Sequence, residues 1–213
     1  MPEQAPIIAK DSSQPVTADT PRARWLRSLN CDGWYGFALL LCLALLLVPL
    51  AGDDALREAW RYERYVIRDG QWWRLVTAHL VHLDARHALL NAAGFALLWA
   101  LFARSYAPRH WLLAVTLCVA AIDAGFWLLS PEVRWYVGAS ALLHGVFACG
   151  CLAWMRSGDR IGIVAIVLLA AKLAWEHFGS PLPLMAGRPV LTISHVYGAA
   201  GGVLAGLLLR PRR

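Results

Sequence analysis

Polar side chains that can do acid–base or nucleophilic chemistry lie inside the apolar runs of this sequence. They are His87, Asn91, Ser140, His144, Lys172, Glu176 and His195. Such groups are costly in hydrocarbon, so each is a functional candidate by default. A serine hydroxyl becomes a nucleophile when a base takes its proton, and histidine is the commonest base. The set therefore contains the minimum for nucleophilic catalysis, with Ser140 as nucleophile and His195 as base.

The elements that carry these residues are membrane helices. Of the 213 residues, 59% are hydrophobic and only 16% are charged, against about a quarter charged in soluble domains. The apolar runs approach the length that spans a bilayer, and they cover about 34–51, 87–104, 111–129, 138–155, 161–177 and 192–209. We predict an all-α, polytopic six-helix transmembrane bundle. It forms a single domain over 25–213, after a disordered cytoplasmic tail at 1–24.

The long connection at 52–86 has too many charged residues to span a membrane and too many aromatic residues to extend freely into water. We predict an interfacial loop between helices 1 and 2, with Trp60, Trp72 and Trp73 at headgroup depth. Headgroup contact is the simplest explanation for its two histidines, His79 and His82, and whether they are functional is left open.

The basic residues behind the net charge of +6 are nearly all arginine. Many lie at the ends of the apolar runs, and those of the long connection at 52–86 are balanced by acidic residues. Arginine is more frequent on the side that holds both termini, so the positive-inside rule places both termini in the cytoplasm. The arginines are expected to contact membrane lipid. Because no basic stripe carries interleaved exposed aromatics, no nucleic-acid partner is predicted.

Topology brings the polar residues to one depth. Spans two, four and six run in the same direction, and His87, Asn91, Ser140 and His195 lie in their first turns. Gly198, Gly202 and Gly206 form a ladder of small residues that lets two membrane helices approach closely. Gly138, Gly198 and Gly202 are accordingly predicted to serve helix packing, and the ladder brings Ser140 to His195.

The predicted chemistry is that of a Ser140–His195 dyad, because no carboxylate is expected at this depth. His144 is expected to orient His195 by stacking or hydrogen bonding. Asn91, His87 and the backbone N–H of Ser140 are the predicted oxyanion donors. Lys172 and Glu176 have the i, i+4 spacing of a mutually neutralising pair.

Structural explanations exist for each residue taken singly. A membrane serine usually back-bonds to its own helix, and a glycine ladder serves plain packing or dimerisation equally well. None of the five cysteines forms a CxxC pair, so neither a disulfide framework nor a zinc site is predicted. We predict no metal and no other cofactor.

Three separated motifs resemble the rhomboid intramembrane proteases. WWRLVTAHLVHLDARHALLNAAG is similar to the family's Trp-Arg loop followed by the His and Asn that bind the oxyanion, here His87 and Asn91. GASALLHG resembles its Gly-x-Ser-Gly motif at Gly138 and Ser140, with Ala141 in place of the usual second glycine. SHVYGAAGG resembles the sixth-helix motif that carries the catalytic histidine. His144 takes the place where many members have a tyrosine that stacks on that histidine.

The LHG ending, the KLAWEH segment and the compact length resemble the rhombosortase branch of that family. This resemblance implies a serine endopeptidase of the bacterial inner membrane, with its active site toward the periplasm. The implied substrates are single-pass exported proteins with a C-terminal Gly-Gly sorting signal, a small-residue motif before an apolar helix and a basic tail. The loop 178–191 and the end of span five are expected to gate substrate access. The oligomeric state is left open.

Other classes of protein remain as alternatives. One is a catalytically inactive rhomboid-like protein that binds membrane clients. Another is a metal-dependent intramembrane protease, although the chain lacks HExxH and WEH supplies no paired histidines. A small transporter or haem carrier is the third, and it would need facing histidines at two depths.

Overall fold

The computed structural model describes residues 20–179 and 191–212. Its helices are α1 Pro21–Ser28, α2 Gly33–Leu47, α3 Asp54–Trp60, α4 Arg64–Arg68, α5 Arg74–Thr77, α6 Ala85–Phe102, α7 Pro108–Leu128, α8 Ser140–Arg156, α9 Ile161–Phe178 and α10 Ile193–Leu208. A 3₁₀ turn, Val48–Ala51, extends α2. The two-residue strands β1 Tyr62–Glu63 and β2 Trp135–Tyr136 pair antiparallel, with Tyr62 opposite Tyr136.

The predicted all-α polytopic bundle is confirmed. Within the described residues four helices are long and apolar enough to cross a membrane, namely α2 with its 3₁₀ turn, α6, α7 and α9. Two shorter apolar helices, α8 and α10, occupy the predicted fourth and sixth spans. The long helices expose many large apolar side chains, as helices that face lipid do. The protein is therefore a multi-pass membrane protein.

The predicted tail, 1–24, does not end where the sequence suggested. Residues 1–19 lie outside the described residues. Helix α1 begins at Pro21, because the Thr20 hydroxyl accepts a hydrogen bond from the backbone N–H of Ala23 and so caps the first turn. The boundary at 24 therefore falls inside a helix.

The connection between the first two spans is a folded structure built from α3, β1, α4 and α5. Buried Arg74 holds it together. Its guanidinium donates to the carbonyls of Glu58 at 2.6 Å and Arg61 at 2.9 Å, and also to the side chain of Gln71 at 2.7 Å. A buried cation needs such acceptors to offset its lost hydration. Trp72 and Trp73 point outward and are mostly exposed.

His79 and His82, whose role the sequence leaves open, do not contact headgroups. Their side chains are buried, at 3% and 4% exposure. The ring of His79 meets Tyr136 edge-on, and the ring of His82 meets His87 at a centroid distance of 5.1 Å. Both imidazoles are part of the small core that joins the connection to the bundle.

These two histidines make stability depend on pH. Burial lowers the pKa of His79 from 6.5 to about 4. Burial, followed by the nearby charge of His87, does the same for His82. The unfolded connection therefore takes up protons below about pH 6.5 while the folded one resists them until about pH 4. Full stability is present above 6.5 and is lost as the pH falls toward 4, by on the order of 1–3 kcal/mol for each imidazole.

We expect the melting temperature of the detergent-solubilised protein to fall between pH 7 and pH 4.5. In a His79→Phe, His82→Phe variant this fall should be clearly smaller. All carboxylates are shared by the two proteins, so the difference between the two pH curves isolates the imidazoles. Parallel curves would contradict the prediction.

The core of the bundle lies where α10 packs against α8 and α7. A Cβ on Gly198 would strike the backbone carbonyl of Ala141, and one on Gly202 would strike that of Gly145. Gly201, on another side of α10, faces α7, where a Cβ would lie 2.8 Å from the Cα of Cys118. The glycines thus allow backbone-to-backbone contact, which fixes α10 relative to α8.

Candidate active site

The turn before α8 positions Ser140 at the first residue of that helix. Gly138 has φ +115°, a left-handed conformation that favours glycine. Its N–H donates to the carbonyl of Ala78 at 2.9 Å, and its carbonyl accepts from the hydroxyl of buried Tyr136 at 2.6 Å. The connection after span one therefore holds the N–H of Gly138 through Ala78, and β2 holds its carbonyl through Tyr136.

The prediction that Gly138 packs one helix against another is wrong. It precedes α8 by two residues, and a Cβ there would lie 2.7 Å from Cε1 of His87. Its missing side chain makes room for the His87 ring beside the serine. Gly198 and Gly202, in contrast, lie in the α8–α10 contact.

Ser140 and His195 meet across the α8–α10 contact. The Ser140 Oγ lies 3.1 Å from His195 Nε2. His195 is on the first turn of α10 and is only 3% exposed. Its ring stacks on that of His144, with centroids 4.2 Å apart and planes 12° apart.

His144 is held at both ring nitrogens. Its Nδ1 lies 2.7 Å from the carbonyl oxygen of Ser140, and its Nε2 lies 2.7 Å from the Lys172 ammonium. A carbonyl only accepts and an ammonium only donates. His144 is therefore neutral with the proton on Nδ1, and its ring is fixed under His195.

The expectation that no carboxylate reaches this depth is wrong. The Glu176 Oε2 lies 2.9 Å from His195 Nδ1, and Glu176 Oε1 lies 2.6 Å from the Lys172 ammonium. The predicted Lys172–Glu176 pair is thus present and also contacts the two histidines. The contact between Glu176 and His195 was not predicted, because the spacing of Lys172 and Glu176 was interpreted only as a pair within one helix.

The candidate oxyanion donors line the same cavity as Ser140 and His195. An apolar groove of about 470 Å³ between α6, α8 and α9 has Asn91, His87, Ser140 and His195 in its wall. The amide nitrogen of Asn91 is buried and has no hydrogen-bond partner within the described residues. A buried donor without an acceptor is costly, and one that faces a cavity is suited to a ligand oxygen. The first N–H groups of α8 likewise lack helical acceptors.

A second cavity, of about 430 Å³, lies at the loop end of the bundle. It is lined by residues before and after β2, by Leu83, by Leu191 and by Ser194. Ser140 and His87 line both cavities. The serine therefore lies where a space open to the loops meets a groove between membrane helices.

His144, Glu176 and His195 also form a set that could hold a metal ion, since their ligand atoms lie within 4.8 Å of one another. This set was not predicted, because Glu176 was assigned only to its pair with Lys172. The Lys172 ammonium, however, lies within 2.7 Å of both His144 Nε2 and Glu176 Oε1. It is itself a cation among these ligands, and it opposes a second one by like-charge repulsion.

Fold and site together define a polytopic helical membrane protein with a largely buried serine–histidine–glutamate cluster, in which His195 is buried and Ser140 and Glu176, taken as whole residues, are half-buried. The Rhomboid domain family matches residues 69–212. That is most of the chain and includes every site residue named above. The protein belongs to the rhomboid family, and this membership indicates intramembrane protease activity.

A curated relative points the same way. The chain is 26% identical over 146 residues to the Bacillus subtilis (strain 168) protein named "Putative rhomboid protease YdcA". The match covers 67% of this chain and 69% of that protein.

Proposed function

We propose that this protein is an intramembrane serine endopeptidase, with Ser140 as nucleophile and His195 as general base. The observation that carries the proposal is the 3.1 Å separation of Ser140 Oγ and His195 Nε2. Since His195 Nδ1 faces a carboxylate oxygen, the proton lies on Nδ1, and Nε2 is free to accept the serine proton.

Catalysis runs through an acyl-enzyme. The Ser140 Oγ attacks the carbonyl carbon of the scissile bond while its proton passes to His195 Nε2. The oxyanion that forms is bound by the Asn91 amide, by His87 and by the N–H of Ser140 at the α8 N-terminus. His195 then gives the proton to the leaving amine, and a water molecule hydrolyses the ester by the same route.

The helical anchor of a substrate approaches through the groove between α6 and α9. Leu97 of α6 and Leu168 of α9 line this groove and are more than half exposed, so it opens to the lipid. The predicted gate at 178–191 falls almost wholly outside the described residues, and its role stays a prediction.

We place the site toward the periplasm of a bacterial inner membrane, with both termini cytoplasmic. This orientation rests on the arginine distribution. The proposed substrates are exported proteins with a C-terminal Gly-Gly signal. Small residues suit a serine that shares a cavity wall with the rings of His87 and His195, because an extended glycine pair needs little room there.

The experiment is co-expression with a reporter that ends in a Gly-Gly signal, an apolar helix and a basic tail. We expect the wild type to release the reporter, and the Ser140→Ala variant to accumulate in the membrane without cleaving it. Ser157→Ala is the matched control, since it makes the same change in an exposed serine at the other end of α8. A reporter that is still cut by Ser140→Ala would overturn the proposal.

Covalent labelling separates this proposal from its alternatives. A fluorophosphonate should label the wild type at Ser140 and leave Ser140→Ala unlabelled. Labelling and cleavage should both persist with a chelator present. An unlabelled wild type would instead favour the client-binding alternative, and inhibition by the chelator would favour a metal-dependent one.

A further inference from the structure

We infer that Glu176 positions the base, so that Ser140, His195 and Glu176 act as a triad with Lys172 as the counter-ion of the carboxylate. The inference deepens the proposed function and rests on it. It starts from two contacts of Glu176, namely Oε2 with His195 Nδ1 at 2.9 Å and Oε1 with Lys172 Nζ at 2.6 Å.

Helix direction explains how a residue of span five reaches the serine. Helix α9 runs opposite to α8 and α10, so its last turn lies at the same end of the bundle as their first turns. Glu176 is on that last turn, two residues before the end of α9 at Phe178. Its side chain is 7% exposed and that of His195 is 4% exposed, so solvent barely screens the contact.

A carboxylate in this position does two things for the imidazole. It accepts the Nδ1 proton, which fixes the tautomer whose Nε2 lone pair faces Ser140. It also faces the positive charge that His195 gains when it takes the serine proton. The proton stays on Nδ1 throughout, and Glu176 is not itself protonated.

Lys172 balances the buried carboxylate. An ion without a partner at membrane depth is costly, whereas a pair with good hydrogen-bond geometry is tolerated. The same ammonium donates to Nε2 of His144, the ring that stacks on His195. The Lys172 ammonium thus holds both groups that orient His195, namely the Glu176 carboxylate and the stacked ring of His144.

Charged or titratable groups from three helices line the groove that His195 faces. Glu176 and Lys172 come from α9, His144 comes from α8, and His87 of α6 lines the same groove. Of these groups, Glu176 alone offers an acceptor to Nδ1. Glu176→Gln removes the negative charge and keeps the size. Its amide can also present an N–H to Nδ1, which would favour the tautomer with the proton on Nε2 and block the base.

The test is the rate of fluorophosphonate labelling as a function of pH, on the full chain in detergent. The Ser140 Oγ–phosphorus bond forms, the phosphorus–fluorine bond breaks, and the serine proton leaves through His195 with fluoride as the leaving group. We expect Glu176→Gln to slow labelling by roughly 10²- to 10⁴-fold. We also expect the acid limb of its pH profile to move to lower pH, because the imidazole loses the charge that favours its protonated form.

Second variants keep the test decisive. Lys172→Met should slow labelling less, and Lys172→Met with Glu176→Gln should be no slower than Glu176→Gln alone, since both act through one network. Glu58→Gln, in an exposed glutamate of α3, is the matched control and should label at the wild-type rate.

An unshifted acid limb in Glu176→Gln overturns the inference even if labelling slows, because a merely structural loss lowers the rate at every pH alike. Failure of the wild type to label at Ser140 would instead overturn the proposed function.

Discussion

Replacing His195 by alanine is expected to lower cleavage by about 10⁴-fold or more, the scale seen when a serine hydrolase loses its base. The reason is local. Nε2 of His195 is the base within reach of the Ser140 Oγ. His144 cannot take over, because its Nδ1 is bound to the Ser140 carbonyl and its Nε2 to Lys172. The measurement is release of the Gly-Gly reporter at equal membrane abundance.

Residues that act as one unit do not contribute additively. The Ser140→Ala, His195→Ala double variant should therefore cleave no more slowly than either single variant. His177→Ala is the control. This neighbouring histidine of α9 is exposed and packs on Phe178, away from the serine. A His195→Ala protein that keeps the wild-type rate would mean that another group activates the serine.

The helical architecture could be predicted because the physical signal is strong. Apolar runs of bilayer length leave little choice of structure, since lipid offers no partners for backbone groups. The largest error at a span boundary is three residues, at the start of α7, predicted at 111 and found at Pro108. Helix direction then explains how Asn91 and His195, more than a hundred residues apart, come to line one groove.

Helix direction would also have predicted that Glu176 lies at the site. Span five runs outward, so a residue in its last turn lies at the depth of residues in the first turns of spans four and six. The i, i+4 spacing from Lys172 suggested a self-contained pair and hid this. A carboxylate has two oxygens, so a lysine on one leaves the other for His195.

The folded connection at 52–86 could not be predicted in the same way. Its charge and aromatic content indicate only that it lies at an interface. The burial of His79 and Arg74 depends on tertiary partners such as the Glu58 carbonyl and the ring of Tyr136, and no periodicity in the sequence reports those contacts. The φ of Gly138 is likewise set by the hydrogen bond to Ala78.

The α8–α10 contact supports both fold and catalysis, so Gly202→Ala should remove both. The added Cβ would strike the carbonyl of Gly145, which is helix backbone and cannot move aside. The helices must separate, and with them His195 and Ser140. Overpacking of this kind typically costs about 1–3 kcal/mol or more, which exceeds the roughly 1 kcal/mol that alanine gains over glycine in helix propensity.

The ladder itself supplies a graded control. A Cβ on Gly206 would lie 2.8 Å from the Cβ of Leu152, so the two helices must shift there too, but by less than at Gly198 and Gly202, where the obstacle is a backbone carbonyl. We expect Gly202→Ala and Gly198→Ala to melt at clearly lower temperature in detergent, to accumulate poorly and to lose fluorophosphonate labelling. Gly206→Ala should lie between these two variants and the wild type in all three. If Gly202→Ala melts and labels like the wild type, the two backbones are not in contact in the membrane, and another feature must hold the serine against its base.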